Sequence, residues 1–166
     1  CCRAGVLGTF PALNRRSTAE FASWLDEIEG ALSPTDAPFG VNLIVHATNT
    51  RLEADLAVVV EHRVPVVITS LGAVPEVVEA VHAYGGLVFH DVTTLRHARK
   101  AASAGVDGLV LVAGGAGGHA GTLNPFAFAL LAITNLIATG NSPASILARR
   151  FFSVVPPPEI STAMGS

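Results

Sequence analysis

Between residues 40 and about 112 the apolar and polar positions of the chain fall into a repeating beat. "GVNLIV" at 40–45 is a short apolar run rich in β-branched residues, and "VPVVITS" at 64–70, "LVFHDV" at 87–92 and "DGLVLV" at 107–112 repeat it. These runs are continuously hydrophobic rather than alternating, the pattern of parallel strands covered on both faces. The stretches between them have helical character. In "NTRLEADLAVVVEHR", Leu52, Leu56, Val59 and Val60 are expected on one helical face. "AVPEVVEAVHAYGG" opens near Pro75, suited to a first helical turn, and closes at Gly85, suited to a C-terminal cap. "TTLRHARKAASAGV" has an alanine face and Gly105 near its end.

Upstream, "GVLGTF" reads as one more strand, followed by a helix from Ser17 in which Ser17 and Glu20 form a capping box. The total is about five to six βα units. An α/β fold follows, either a small doubly wound sheet or part of a (β/α)8 barrel. The beat fails toward the C-terminus. From Phe126 to Ser166 only Arg149, Arg150 and Glu159 carry charge, and "VVPPPEIST" sets three prolines where a strand would run. Proline cannot donate to a sheet ladder. The chain therefore divides into residues 1–128, the βα domain, and 129–166, a divergent tail.

Composition narrows the function. A chain of 166 residues suits one domain with one core. The net charge is −3 and there is no basic run, so no nucleic-acid partner is expected. The longest apolar stretch, at 125–140, is interrupted by Thr134 and Asn135 and falls short of the ~20 residues a bilayer needs. No membrane partner is expected. Cys1 and Cys2 are adjacent and have neither disulfide nor metal-ligand spacing, which fits a reducing, cytoplasmic setting. The chain opens without Met and without a signal-peptide pattern, and reads as a piece of something longer.

The candidate chemistry centres on "GGAGGHAG" at 114–121, which follows the strand "DGLVLV" directly. Ligands bind at the carboxyl ends of parallel strands in barrels and open sheets alike. Glycine there marks close approach of backbone to something. The run lacks the Gly-Lys-Ser/Thr ending of a Walker loop and the spacing of a dinucleotide fingerprint. His119 is its one titratable residue, and imidazole titrates where proton abstraction from a weak carbon acid needs it. His90 and Asp91 end a strand, but as strand neighbours they face opposite ways and do not pair. His90 is a candidate for the same mouth, as is His46. His62, His82 and His97 fall on helices and are expected on outer faces. No histidine or cysteine pattern suggests a metal. Ser70, in "ITSLG", lacks the G-x-S-x-G context of a nucleophile and is better read as a substrate or cofactor contact.

"PFGVNLIVH", "VPVVITSLG", "GGLVFHDVTTLRHARKAASAGVDGL" and "GGAGGHAG" followed by "NPFA" resemble the nitronate monooxygenases, formerly 2-nitropropane dioxygenases, from about residue 5 to 128. The resemblance implies a (β/α)8 TIM barrel with FMN at its mouth, oxidising alkyl nitronates with O₂. It implies that His119 is the active-site histidine, that Gly117 and Gly118 lie against the flavin, and that Asn42 contacts it. Ser70 and His90 are grouped with these as cofactor contacts. Many members have a glutamine before the glycine loop where this chain has Val112. A whole barrel takes ~250 residues, so the first and last strands are expected outside this segment, and its open edges favour a homo-oligomer. An insertion or shifted reading frame between residues 129 and 158 would account for the tail. The rivals are a flavin-dependent enoyl reductase and a non-catalytic half-barrel.

Overall fold

Each apolar run of the beat becomes a parallel strand, and each periodic stretch becomes a helix on one side of the sheet. The computed structural model describes residues 1–72, 75–115 and 121–138. In chain order the elements are β1 (Gly8–Pro11), α1 (Thr18–Ala31), β2 (Phe39–Ile44), α2 (Leu52–Glu61), β3 (Val66–Ser70), α3 (Pro75–Ala83), β4 (Leu87–Val92), α4 (Leu95–Ser103), β5 (Gly108–Leu111) and α5 (Pro125–Ala138). The strands stand in the order β1-β2-β3-β4-β5, each parallel to the next. A doubly wound sheet reverses its order at a switch point; this one does not. With right-handed crossovers, an unbroken order sets every helix on the same face, as in a barrel wall. Accordingly α1 packs on α2, α2 on α3 and α4 on α5. The fold is part of a (β/α)8 barrel, with five βα units described.

The two faces of the sheet differ. The row Phe10, Val41, Val67, Val88 and the next row Leu43, Thr69, His90, Leu109 point toward the helices. There they meet Phe21, Leu25, Val59, Val77, Val81 and Phe128, all buried. The opposite row runs Pro11, Asn42, Ile68, Phe89, Gly108, with Ile44 beside Ser70 and Asp91 beside Val110 above it. This is the barrel's inner face. Asn42, Ile44, Ile68, Phe89 and Asp91 are only half-buried on it, and Val110 is exposed.

Local signals are met in detail. Ser17 Oγ accepts from Glu20 N–H and the Glu20 carboxylate accepts from Ser17 N–H, closing the capping box. Gly85 and Gly105 take left-handed φ of +89° and +86° just past α3 and α4, where a side chain would be strained. The buried stripe of α2 is corrected: Val60 turns out to solvent, while Asp55, Val58 and Val59 turn inward. Asp55 can be buried because Arg51 and Thr18 satisfy its Oδ1. At the C-terminal side α5 begins at Pro125, with the Asn124 carboxamide accepting from Phe126 and Ala127 N–H, and continues to Ala138. The rest of the tail, 139–166, lies outside the described residues. No helix among the described residues is long and apolar enough to cross a membrane.

Candidate active site

The carboxyl ends of β2, β3, β4 and β5 gather the candidate residues at one rim. Asn42 and Ser70, chosen from separate runs of the sequence, are brought together on the inner face. Asn42 Nδ2–H donates to Ser70 Oγ at 2.7 Å and to the Ile68 carbonyl at 3.2 Å. With its NH₂ group spent on β3, Asn42 keeps its carbonyl oxygen to offer toward the mouth.

Beyond Ser70 the chain turns sharply. Leu71 adopts φ +64°, rare for a residue with a side chain, and is 66% exposed. A Cβ on Gly72 would meet the Val45 carbonyl oxygen at 2.6 Å, so only glycine passes beneath the end of β2. The turn thus holds an apolar side chain exposed at the rim among the described residues.

The flanks of the glycine run converge on the end of β5. Gly114 N–H donates to the Leu123 carbonyl at 2.8 Å, and Val112 N–H donates to Val92. A Cβ on Gly121 would collide with the Val112 carbonyl oxygen. Gly115 has φ +89°. Bare backbone is therefore required on both legs: for close approach at Gly121, for a left-handed turn at Gly115. Gly117, Gly118 and His119 themselves lie outside the described residues.

His90 sits at the same level but on the other side of the sheet from Asn42 and Ser70. It is 5% exposed, with Nδ1 2.7 Å from Thr69 Oγ1, its neighbour in the same row. Burial pushes its imidazole below the usual range; the Asp91 carboxylate opposes this, and His97 and Lys100 add to it. The ring opens into a separate cavity with Thr93, His97 and Lys100. His46 is exposed in the β2–α2 turn, with Nδ1 2.9 Å from Thr48 Oγ1.

The remaining histidines are tied into the scaffold. His82 Nε2 is 2.8 Å from the Asp107 carboxylate, which also accepts from Val88 N–H. His62 follows α2 and lies 3.3 Å from Glu29. Among the described residues no group of histidine, cysteine and carboxylate side chains is placed to hold a metal. The residues sequence reasoning missed are Thr69, the partner of His90, and the Arg51–Asp55 pair, whose i,i+4 spacing on α2 was the available signal.

Comparison with known proteins bears on the family and the fold. The chain is 33% identical over 120 residues to the (3aS,4S,5R,7aS)-5-hydroxy-7a-methyl-1-oxo-octahydro-1H-indene-4-carboxyl-CoA dehydrogenase of Rhodococcus jostii, covering 70% of this chain and 33% of that protein. The Mycobacterium tuberculosis protein of the same name is 29% identical over 128 residues, covering 75% of this chain and 35% of it. The chain thus spans about a third of these curated relatives' length. Among solved structures, FabK from Thermotoga maritima superposes with a TM-score of 0.62 at 24% identity, over 71% of this chain and 36% of FabK. Nitroalkane oxidase from Streptomyces ansochromogenes superposes with 0.64 at 22% identity, over 93% of this chain and 50% of that one. Those two likenesses speak for the fold. The nitronate monooxygenase family model matches residues 3–142, most of the chain, and the chain belongs to that family of oxidoreductases.

Proposed function

We propose that this chain forms the flavin-facing wall of an FMN-dependent oxidoreductase that oxidises alkyl nitronates with O₂. The observation that carries the reading is the rim itself. The Asn42–Ser70 pair lies toward the carboxyl ends of β2 and β3, and the side-chain-free legs of the glycine run leave the carboxyl end of β5, one strand further along the same sheet. A flavin ring needs a wide, flat, apolar floor with a few amide and carbonyl groups at its edge. The residues present fit that need. Ile44, Ile68 and Phe89 supply the floor on the inner face, Asn42 and Ser70 supply polar contacts, and glycine removes what would hold a planar ring away. When bound, the flavin supplies the electron transfer, since redox chemistry belongs to the cofactor.

The chain's own residues do the rest. Asn42 offers its carbonyl to a ring N–H. Ser70 fixes the Asn42 amide so that it arrives in one orientation. His119 assists deprotonation of a nitroalkane or holds the nitronate's negative charge, a role that rests on the family resemblance and match.

The test is spectroscopic and kinetic. The purified protein should be yellow with flavin absorbance and should consume O₂ with an alkyl nitronate. His119→Ala should keep the flavin and lose at least ~100-fold in turnover, the scale of a general acid–base group. Near-normal turnover in that variant removes the assignment, and a colourless protein favours the non-catalytic half-barrel.

A second reading is favoured by the names of the two curated relatives, both carboxyl-CoA dehydrogenases. On that reading the same flavin wall serves a thioester substrate, the class to which an enoyl reductase also belongs. Nicotinamide consumption with an enoyl thioester, and no O₂ uptake with a nitronate, would select it.

A further inference from the structure

A cavity of about 260 Å³ lies beside the rim, lined by Leu71, Gly72, His90, Asp91, Thr93, His97 and Lys100. Neither Asn42 nor Ser70 reaches it. His90 enters from the helix-facing side of β4, and His97 and Lys100 enter from α4, three residues apart on one helix face. His90 Nδ1 is engaged by Thr69, which leaves Nε2 to face the cavity. His97 Nδ1 lies 3.1 Å from Thr93 Oγ1, so its Nε2 is likewise directed away from the turn. α4 (Leu95–Ser103) carries Arg96, Arg99 and Lys100 and no acidic residue, in a chain whose net charge is −3.

The groups in this cavity are mostly donors. Lys100 has three N–H donors and no acceptor, and each imidazole can present one N–H at Nε2. Asp91, whose side chain belongs to the other face of β4, is the one acidic residue at its edge among the described residues. Lys100 brings a fixed positive charge to the cavity, and a proton on His90 would add a second, which suits a phosphate anion.

We propose that this cavity is a phosphate-binding site, in which Lys100, His97 and His90 donate to the anion's oxygens and the Thr93 hydroxyl completes the set. The phosphate is either free or carried on a larger ligand. Occupancy is coupled to protonation. Asp91, His97 and Lys100 are the charged groups that act on His90, and a bound anion offsets the last two. A proton on His90 strengthens the hold on the anion, so the site binds more tightly as pH falls. The proposal stands whether or not the rim holds a flavin.

Inorganic phosphate titrated into the protein, with the imidazole resonances followed by NMR, tests it. The His90 and His97 rings should shift together while His46, His62 and His82 stay in place. Lys100→Gln, at an exposed position, should melt as wild type and keep any flavin colour, yet bind phosphate at least ~10-fold more weakly, the scale of one charge-assisted hydrogen bond. Sulfate, whose own charge is constant over the range, should bind more tightly at pH 6 than at pH 8. Phosphate that leaves both rings unmoved, a Lys100→Gln variant that binds as wild type, or sulfate binding independent of pH overturns the proposal. Coenzyme A that displaces the phosphate identifies a carried phosphate ester as the occupant; phosphate that withstands coenzyme A identifies the free anion.

Discussion

At the scale of single residues, the candidate site is two faces of one sheet, toward the carboxyl ends of β2, β3 and β4. Ser70 was legible in the sequence as a polar residue closing an apolar run, the place where a parallel strand meets its ligands, and Asn42 only through the family resemblance that its V-N-L strand carries. Their direct contact was not legible, because pairing depends on the register of β2 against β3. Ser70→Ala leaves the Asn42 amide donating only to Ile68, at 3.2 Å. Flavin affinity should fall about 10-fold, the cost of roughly one net hydrogen bond, as read by fluorescence titration with FMN. His90 was legible as a strand-end histidine, but a strand alone does not say which of its faces meets the helices. The rows of neighbouring strands decide it, and set His90 among Leu43, Thr69 and Leu109. Its buried imidazole, held below the usual range, has a sign for stability. Between the folded value and the unfolded value near 6.5, the unfolded chain binds more protons, so stability rises with pH. The contribution is complete above the unfolded value and is lost as pH falls below it. Urea midpoints measured from pH 5 to 8 should rise in wild type, and His90→Gln should flatten the part of that slope His90 supplies.

At the scale of elements, what the sequence made legible was whatever is written in neighbouring residues. The capping box of α1 and the left-handed glycines after α3 and α4 are local chemistry and appear where the spacing put them. The buried face of α2 is not local. Asp55 turns inward toward α1, where Thr18 Oγ1–H donates to it at 2.6 Å and Arg51 pairs with it at 3.0 Å. Arg51 also donates to the Arg15 carbonyl at 2.7 Å, so one ion pair ties the start of α2 to the turn before α1. Hydrophobic periodicity gives Asp55 to solvent, and tertiary partners override it. The pair is asymmetric, with side-chain exposures of 22% for Arg51 and 1% for Asp55. Removing Arg51 strands the more deeply buried charge, so Arg51→Met should cost about 3 kcal/mol, in the range for breaking a buried pair. Asp55→Asn leaves a guanidinium that still reaches water and should cost about half as much. Ser17→Ala should cost about 1 kcal/mol through the lost cap. Chemical denaturation ranks the three; equal losses at Arg51 and Asp55 would mean that solvent reaches both.

At the scale of the whole molecule, the choice between barrel and doubly wound sheet was invisible in the repeating pattern. Strand order alone settles it, and order is a property of how the units pack. The same order leaves β1 and β5 with one neighbouring strand each among the described residues, and leaves the inner face half-open. On the helix layer, α5 adds an apolar stripe. Phe126, Leu130 and Ile133 are 85%, 64% and 49% exposed and fall four and three residues apart, on one face of the helix. In a barrel each helix packs between two others, and among the described residues α4 is the helix that packs most on α5. Burying three such side chains is worth roughly 5–8 kcal/mol gross, against an association cost of about 4 kcal/mol or more. The net is at most about 4 kcal/mol, so self-association of the 166-residue chain is expected only at about millimolar concentration or above rather than as a tight complex. Sedimentation velocity over a concentration series should show it. Phe126→Glu and Leu130→Glu, each placing a charge in the stripe without touching the core, should move the transition to higher concentration. An unchanged transition in both variants would shift the contact from α5 to the unpaired edges of β1 and β5, where a charged substitution on the helix has no leverage.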